Sequence, residues 1–204
     1  MIKEQLSSCK LCPRNCSVDR TSGKVGYCGA GEKIKIGRNA LHFWEEPPIS
    51  GENGSGTVFF SNCNMGCVYC QNYEISTKNS GKIITTEELT EIFLDLQNQK
   101  AHNINLVTPT HYIPQIARAL TDAKKKGLKI PVIYNSGGYE NVSALKKLFG
   151  LIDIYMPDIK YFSDEYAIKY SNAPNYFNCA TKALSEMFLQ VGKNQFDGNG
   201  LMTK

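Results

Sequence analysis

The sequence has no apolar stretch long enough to cross a bilayer. Its opening, MIKEQLSSCK, lacks the apolar core of a secretory signal. It also has little excess charge of either sign: 23 Lys and Arg against 19 Asp and Glu leave +4, spread along the chain. The densest basic run, Lys124 to Lys126, stands just before Gly127. Cations suit the C-terminal turn of a helix, so the run reads as a solvated helix end and not as a nucleic-acid surface. These absences point to a cytoplasmic protein with neither a membrane nor a nucleic acid as partner. In that compartment the eight cysteines read as metal ligands in preference to disulfides.

The cysteines are grouped. Cys9, Cys12, Cys16 and Cys28 form one set, Cys63, Cys67 and Cys70 a second, and Cys179 stands alone. Residues 1–56 are rich in Cys, Gly and Pro with little periodicity. They read as a loop-rich metal-binding segment that ligation would stabilise. Residues 57–204 read as a second unit of different character.

That second unit alternates strands and helices. GTVFFSN reads as a buried strand. TTEELTEIFLDLQNQ reads as a helix with a Thr85–Glu88 capping box and Leu89, Ile92, Phe93 and Leu96 on one face. NINLVT is the next strand, followed by a helix with Pro114 near its start, Ile113, Ile116 and Leu120 inward, and Gly127 at its end. KIPVIYN is a third strand, and YENVSALKKLFG a helix with Val142, Leu145 and Phe149 inward. A fourth strand is expected over Leu151 to Tyr155. A long helical region follows, with Phe177, Ala180, Leu184, Met187, Phe188 and Val191 as its apolar stripe. The alternation predicts an α/β fold: a partial (βα) barrel of parallel strands, about four units long, with later units expected to be missing and the chain impaired as a result. Chemistry in such folds gathers at the C-terminal ends of the strands. Every unusual motif lies at one: the cysteine loop, then TPTH, NSGG and MPDIK.

Three thiolates in CNMGCVYC are one short of a structural zinc site or an ordinary protein-held cluster. One reading is a zinc completed by Cys179 or a histidine. The other is a [4Fe–4S] cluster with one iron left open to a small molecule bearing an amine and a carboxylate. The methionine part of S-adenosylmethionine (SAM) is such a molecule, and radical chemistry would then belong to the cofactor. In the N-terminal set the ligands are complete by themselves, and a structural zinc and an auxiliary iron–sulfur cluster are both open. Cys179 reads as an inert buried thiol, and Trp44 as packing the N-terminal arm against the barrel.

CNMGCVYC resembles the signature of the radical SAM superfamily. Together with CPRNC, GYCGAG, LHFWEEPPISG, GTVFFSNCNMGCVYCQNYEIS and NINLVTPTHY, it resembles the PflX-like branch related to pyruvate formate-lyase activating enzymes. The resemblance implies that Cys63, Cys67 and Cys70 hold the cluster and that Tyr69 lies on the adenine side of the cofactor. Asn72 borders that pocket or is plain surface. TPTH stands where the superfamily often has a Gly-Gly-Glu type motif, so Thr108, Thr110 and His111 supply polar contacts, or His111 caps the next helix. Asn135 and Ser136 follow the third strand, with two glycines that let backbone approach a ligand or form a simple turn. MPDIK resembles the Met-x-Asp-x-Lys segment of the activases, so Asp158 and Lys160 meet the cofactor or form a surface pair. The resemblance implies a flavodoxin or ferredoxin electron donor and, more finely, a glycine in a partner protein as substrate. A metal-binding scaffold or maturation factor without radical turnover is the rival reading.

Overall fold

A computed structural model describes residues 2–204. A six-stranded mixed sheet runs through it. Its strands are β1 (Ile34–His42), β2 (Ser55–Phe60), β3 (Lys82–Ile84), β4 (Ile104–Val107), β5 (Val132–Ser136) and β6 (Ile154–Pro157), in the order β3-β1-β2-β4-β5-β6. β2, β4, β5 and β6 are parallel neighbours, as the alternation predicted, and form a partial barrel. β1 and β3 extend it on one side as antiparallel strands.

The register sorts the side chains into two faces. Thr57, Asn105, Ile133 and Ile154 form one row on the inner face, and Phe59, Val107, Asn135 and Met156 the row above it. Val58, Leu106 and Tyr134 point outward and are fully buried. α4 (Thr86–Asn98) and α5 (Ile113–Lys125) cover them. α4 begins with the expected capping box: the Glu88 N–H donates to Thr85 at 3.0 Å and the Thr85 N–H to the Glu88 carboxylate at 2.7 Å. Leu89, Phe93 and Leu96 of α4 are buried, as are Ile113, Ile116 and Leu120 of α5. Gly127 closes α5 with φ +102°, which a side chain rarely adopts. Below, α2 (Pro47–Ser50) seats Ile49 against Ile133, Ile154 and Met202, sealing the floor of the half-barrel. The short α1 (Ile2–Leu6) buries Leu6 in the main core.

Several expectations are corrected. β1 lies inside the 1–56 segment, which was read as lacking strands. Only Ile34 and Ile36 of β1 are buried, and its register shifts between Ile36 and Arg38. The shift falls at Gly37, where a Cβ would meet the Ile75 side chain at 2.7 Å. Glycine at a bulge erases the alternation that marks a strand. The fourth parallel strand starts at Ile154 in place of Leu151, because the Asp153 carboxylate takes the Val132 N–H at 2.9 Å and delays the ladder.

The helix after β5 is one short turn, α6 (Val142–Leu145), continuing as a 3₁₀ turn over Lys146–Leu148. The tighter winding puts Leu148 inward and leaves Phe149 71% exposed. The last helical region divides into α7 (Asp164–Ser171) and α8 (Tyr176–Val191) across Asn172 and Asn175, both at positive φ, with Pro174 between them. Tyr176, Ala180, Ala183 and Met187 face inward on α8, while Leu184 and Phe188 lie on its exposed side. Trp44 does not pack the N-terminal arm against the barrel: it is 89% exposed and stands at the edge of the cleft. No helix among the described residues is long and apolar enough to cross a membrane.

Candidate active site at the strand ends

The chain leaves β2 at Phe60 and enters the cysteine loop through Asn62, held at φ +77°. The loop is tied on all sides. The Asn62 N–H donates to the Ile75 carbonyl at 3.0 Å, from α3 (Tyr73–Ser76). The Gly66 and Val68 N–H groups donate to the carbonyls of Ser171 and Tyr170 at 3.0 and 2.9 Å. Asn64 donates to the Tyr139 carbonyl at 2.6 Å, and Arg14 to the Asn64 carbonyl at 2.9 Å. Met65, only 5% exposed, anchors the loop among Tyr139, Ala167, Ala173, Tyr176 and Ala180.

Each sulfur of the trio has a hydrogen-bond partner. The Met65 N–H reaches Cys63 at 3.3 Å, the Ser171 hydroxyl reaches Cys67 at 2.9 Å, and the Ser76 hydroxyl lies 3.3 Å from Cys70. Such contacts favour thiolates and orient metal ligands. Burial pushes the Cys63 thiol up to about 12, so losing its proton calls for a nearby cation. As placed, no three His, Cys, Asp or Glu side chains among the described residues converge on one point that could hold an ion. Ligation would draw the sulfurs together by side-chain rotation. Soft thiolates facing one open cleft are the donor set an iron–sulfur cluster takes.

That cleft has a volume of about 690 Å³. It brings together Cys63, Cys67, Cys70, Tyr69, Asn72, Thr108, Thr110, Asn135, Ser136, Asp158 and Lys160, which are the residues singled out in the cysteine loop and at the strand ends, with one exception. The exception is His111. It lies beneath the cysteine loop, 2% exposed, with Nε2 at 2.7 Å from the Ser61 carbonyl. Burial pushes its pKa down to about 3, so it is a neutral prop of the loop and does not face the cleft.

The strand ends carry further detail. Thr108 sits at φ +59°, a conformation that a β-branched side chain rarely adopts, at the tip of β4. Tyr69 meets the Tyr161 hydroxyl at 2.5 Å, Tyr161 meets Ser171 at 2.6 Å, and Ser171 donates to Cys67, a hydroxyl chain running from the rim to a sulfur. Lys160 pairs with Asp158 at 2.5 Å. Burial lowers the Lys160 pKa, but the Asp158 carboxylate more than offsets this and the net shift is upward. The glycines after β5 admit protein atoms: a Cβ on Gly137 would lie 2.8 Å from the Met65 sulfur, and one on Gly138 2.8 Å from the Asp158 carbonyl.

Sequence reasoning passed over Glu140. It is 2% exposed, accepts from Thr110 at 2.6 Å and Tyr134 at 3.1 Å, and fixes the Thr110 hydroxyl at the cleft wall. Burial pushes its carboxyl up to about 7, against hydrogen bonds from Thr110, Ser136 and Tyr134. The available signal was one carboxylate just after the Gly137–Gly138 pair at a strand end. Arg38, His42, Glu45 and Glu46, from β1 and the turn after it, also line the cleft and went unnoticed because β1 did.

A three-cysteine loop at the end of the first parallel strand, opening into a cleft formed by the next three strand ends, defines a class of metal-dependent α/β enzyme folds. The family model for the Radical SAM superfamily matches residues 57–194, and the chain belongs to that superfamily. It is 30% identical over 185 residues to "Uncharacterized protein MJ0674" of Methanocaldococcus jannaschii, covering 86% of this chain and 52% of that protein. It is 28% identical over 109 residues to 7-carboxy-7-deazaguanine synthase of Methanothermobacter thermautotrophicus, covering 52% of this chain and 43% of that one. The chain thus spans about half the length of the curated relatives it matches.

Proposed function

We propose that this chain carries out radical SAM chemistry, with Cys63, Cys67 and Cys70 holding a [4Fe–4S] cluster. The observation that carries this reading is that the three cysteines and four strand ends line one cleft. When bound, the cluster would supply one electron to the sulfonium of SAM and release a 5′-deoxyadenosyl radical. The chain's own residues hold, orient and shield. Met65, Ser171 and Ser76 hydrogen-bond the sulfurs. Tyr69 and Asn72 border the adenine side, and Thr108, Thr110, Asn135 and Ser136 offer polar contacts at the strand tips. Asp158 and Lys160 present one charge of each sign to the amino and carboxylate ends of the methionine. Glu140 acts through Thr110 as a positioning residue.

The electron donor in this reading is a flavodoxin or ferredoxin. The motif resemblance to pyruvate formate-lyase activating enzymes supports a glycine of a partner protein as the site of hydrogen abstraction. The similarity to 7-carboxy-7-deazaguanine synthase supports a small-molecule substrate instead, and this is the reading we favour, because it rests on aligned sequence over half of the chain.

The test is anaerobic reconstitution with iron and sulfide, followed by SAM and dithionite. A brown protein with about four irons on the cluster loop, an electron paramagnetic resonance signal that changes on adding SAM, and release of 5′-deoxyadenosine are expected. A colourless zinc protein that releases none would establish the scaffold reading in its place.

A further inference from the structure

Cys9, Cys12, Cys16 and Cys28 take no part in the cleft. They lie in the turns between α1 and β1. The Cys9 N–H donates to the Val18 carbonyl and the Ser17 N–H to the Cys9 carbonyl, at 3.0 and 2.9 Å, which brings Cys9 alongside the Cys16 turn. Asn15 and Ser17, flanking Cys16, are both at positive φ. Gly26 is required by the packing: a Cβ there would lie 2.8 Å from the Cys16 sulfur. Burial raises the pKa of Cys12 and Cys28, with smaller contributions from Cys28 and Cys16 on the first and from Cys9 and Cys16 on the second.

Two observations distinguish this set from four ordinary thiols. First, two of the sulfurs have an N–H donor. The Tyr27 N–H reaches Cys16 at 3.4 Å, and an Arg20 guanidinium N–H reaches Cys9 at 3.8 Å. A neutral thiol gains little from such a donor, whereas a thiolate gains a charge-assisted bond. Second, Arg20 is buried to 1% exposure and forms no carboxylate ion pair among the described residues. Its partners are the carbonyls of Gly31 and His111 and the Cys9 sulfur. A buried guanidinium with no anionic partner is costly to desolvate, and an anionic centre beside it offsets that cost.

We propose that Cys9, Cys12, Cys16 and Cys28 form a second, closed tetrathiolate centre for a soft metal, with Arg20 as its buried counter-ion. Four thiols give up their protons to solvent as the metal binds. A zinc ion or a [4Fe–4S]²⁺ cluster held by four thiolates is dianionic in either case, and Arg20 halves that charge. As in the cluster loop, the sulfurs do not converge as placed, and rotation about their side chains is part of binding. The centre is joined to the cluster loop by packed protein. Arg20 donates to the His111 carbonyl, and the His111 ring meets Ser61. A Cβ on Gly29 would lie 3.0 Å from the Asn62 side chain. Filling this centre therefore stiffens the entry to the Cys63–Cys70 loop. The proposal does not depend on the radical reading.

The experiment uses the full chain with Cys63, Cys67 and Cys70 all replaced by alanine, so that the cluster loop holds nothing. Metal and acid-labile sulfide are measured after anaerobic reconstitution. Retention of about one zinc, or of about four irons with sulfide, is expected and tells the two metals apart. A protein with neither would overturn the proposal. On the unmutated chain, iodoacetamide mapping by mass spectrometry guards against misfolding of the variant. Cys9, Cys16 and Cys28, all partly exposed, are expected to resist alkylation until a chelator is added. Equal rates with and without chelator would count against the centre. Arg20→Gln should weaken metal retention by about 10- to 100-fold, with partial rescue by Arg20→Lys. Unchanged retention in Arg20→Gln would remove the counter-ion role.

Discussion

The two cysteine-bearing regions solve different problems with the same side chain. The Cys63–Cys70 loop hangs from a strand tip, faces a cleft of about 690 Å³ and is braced by distant elements: Tyr139, Tyr170, Ser171 and Ile75. The Cys9–Cys28 region opens onto no part of that cleft. Cys9 and Cys28 pack on the main core, and Arg20 and Tyr27 of the same segment donate to Cys9 and Cys16. The difference teaches that an open site must borrow its rigidity from elsewhere in the fold, whereas a closed one can be largely self-contained.

The comparison can be broken most forcefully at a sulfur. Cys67→Ala should take iron incorporation on the loop and 5′-deoxyadenosine release to background, measured by iron assay and chromatography, while metal on the N-terminal set persists. Loss of both together would mean the regions are one unit.

Glu140 comes next, on the cleft side, where it fixes Thr110. Its carboxyl titrates near 7 when folded, above its ordinary value of 4.5. The unfolded chain therefore loses this proton first. The stabilising contribution is full below about 4.5 and is lost as pH rises through about 7. Denaturant melts of Glu140→Gln should show a flatter stability profile across that window, with a difference on the order of a few kcal/mol.

Met65→Ala should lower stability by about 2–4 kcal/mol through the cavity left beside Tyr139 and Tyr176. It should also loosen the cluster loop, while sparing the Cys9–Cys28 set in alkylation mapping. Ser171→Ala should have the smallest effect, about 1 kcal/mol in a denaturant melt. It removes the hydroxyl donor to Cys67 and cuts the chain to Tyr69, so a shift in the cluster's midpoint potential is the sharper readout.

Much of the architecture could be read directly. The strand before the cysteines, the helix capped by Thr85 and the helix closed by Gly127 each rest on local chemistry that tertiary context did not override. What escaped depends on partners distant in sequence. β1 is recognisable only through its pairing with β2 and β3, since Gly37 and the polar residues after it show no alternation. On α8 there are two apolar faces, and choosing Tyr176–Ala183 over Leu184–Phe188 depends on what α8 packs against. The cleft residues at strand tips were legible because parallel folds gather them there. His111 was misplaced because its neighbours in sequence face the cleft while its own ring turns under the loop. Glu140 was missed because nothing local shows that Thr110 and Tyr134 enclose it.

Thr108 has a consequence for any attempt to toughen this protein. A left-handed backbone costs an ordinary residue roughly 1–2 kcal/mol, and a glycine at that spot would give most of this back. A selection for heat resistance alone, blind to turnover, should therefore replace Thr108 early. The hardier variant would have traded away a hydroxyl at the mouth of the strand.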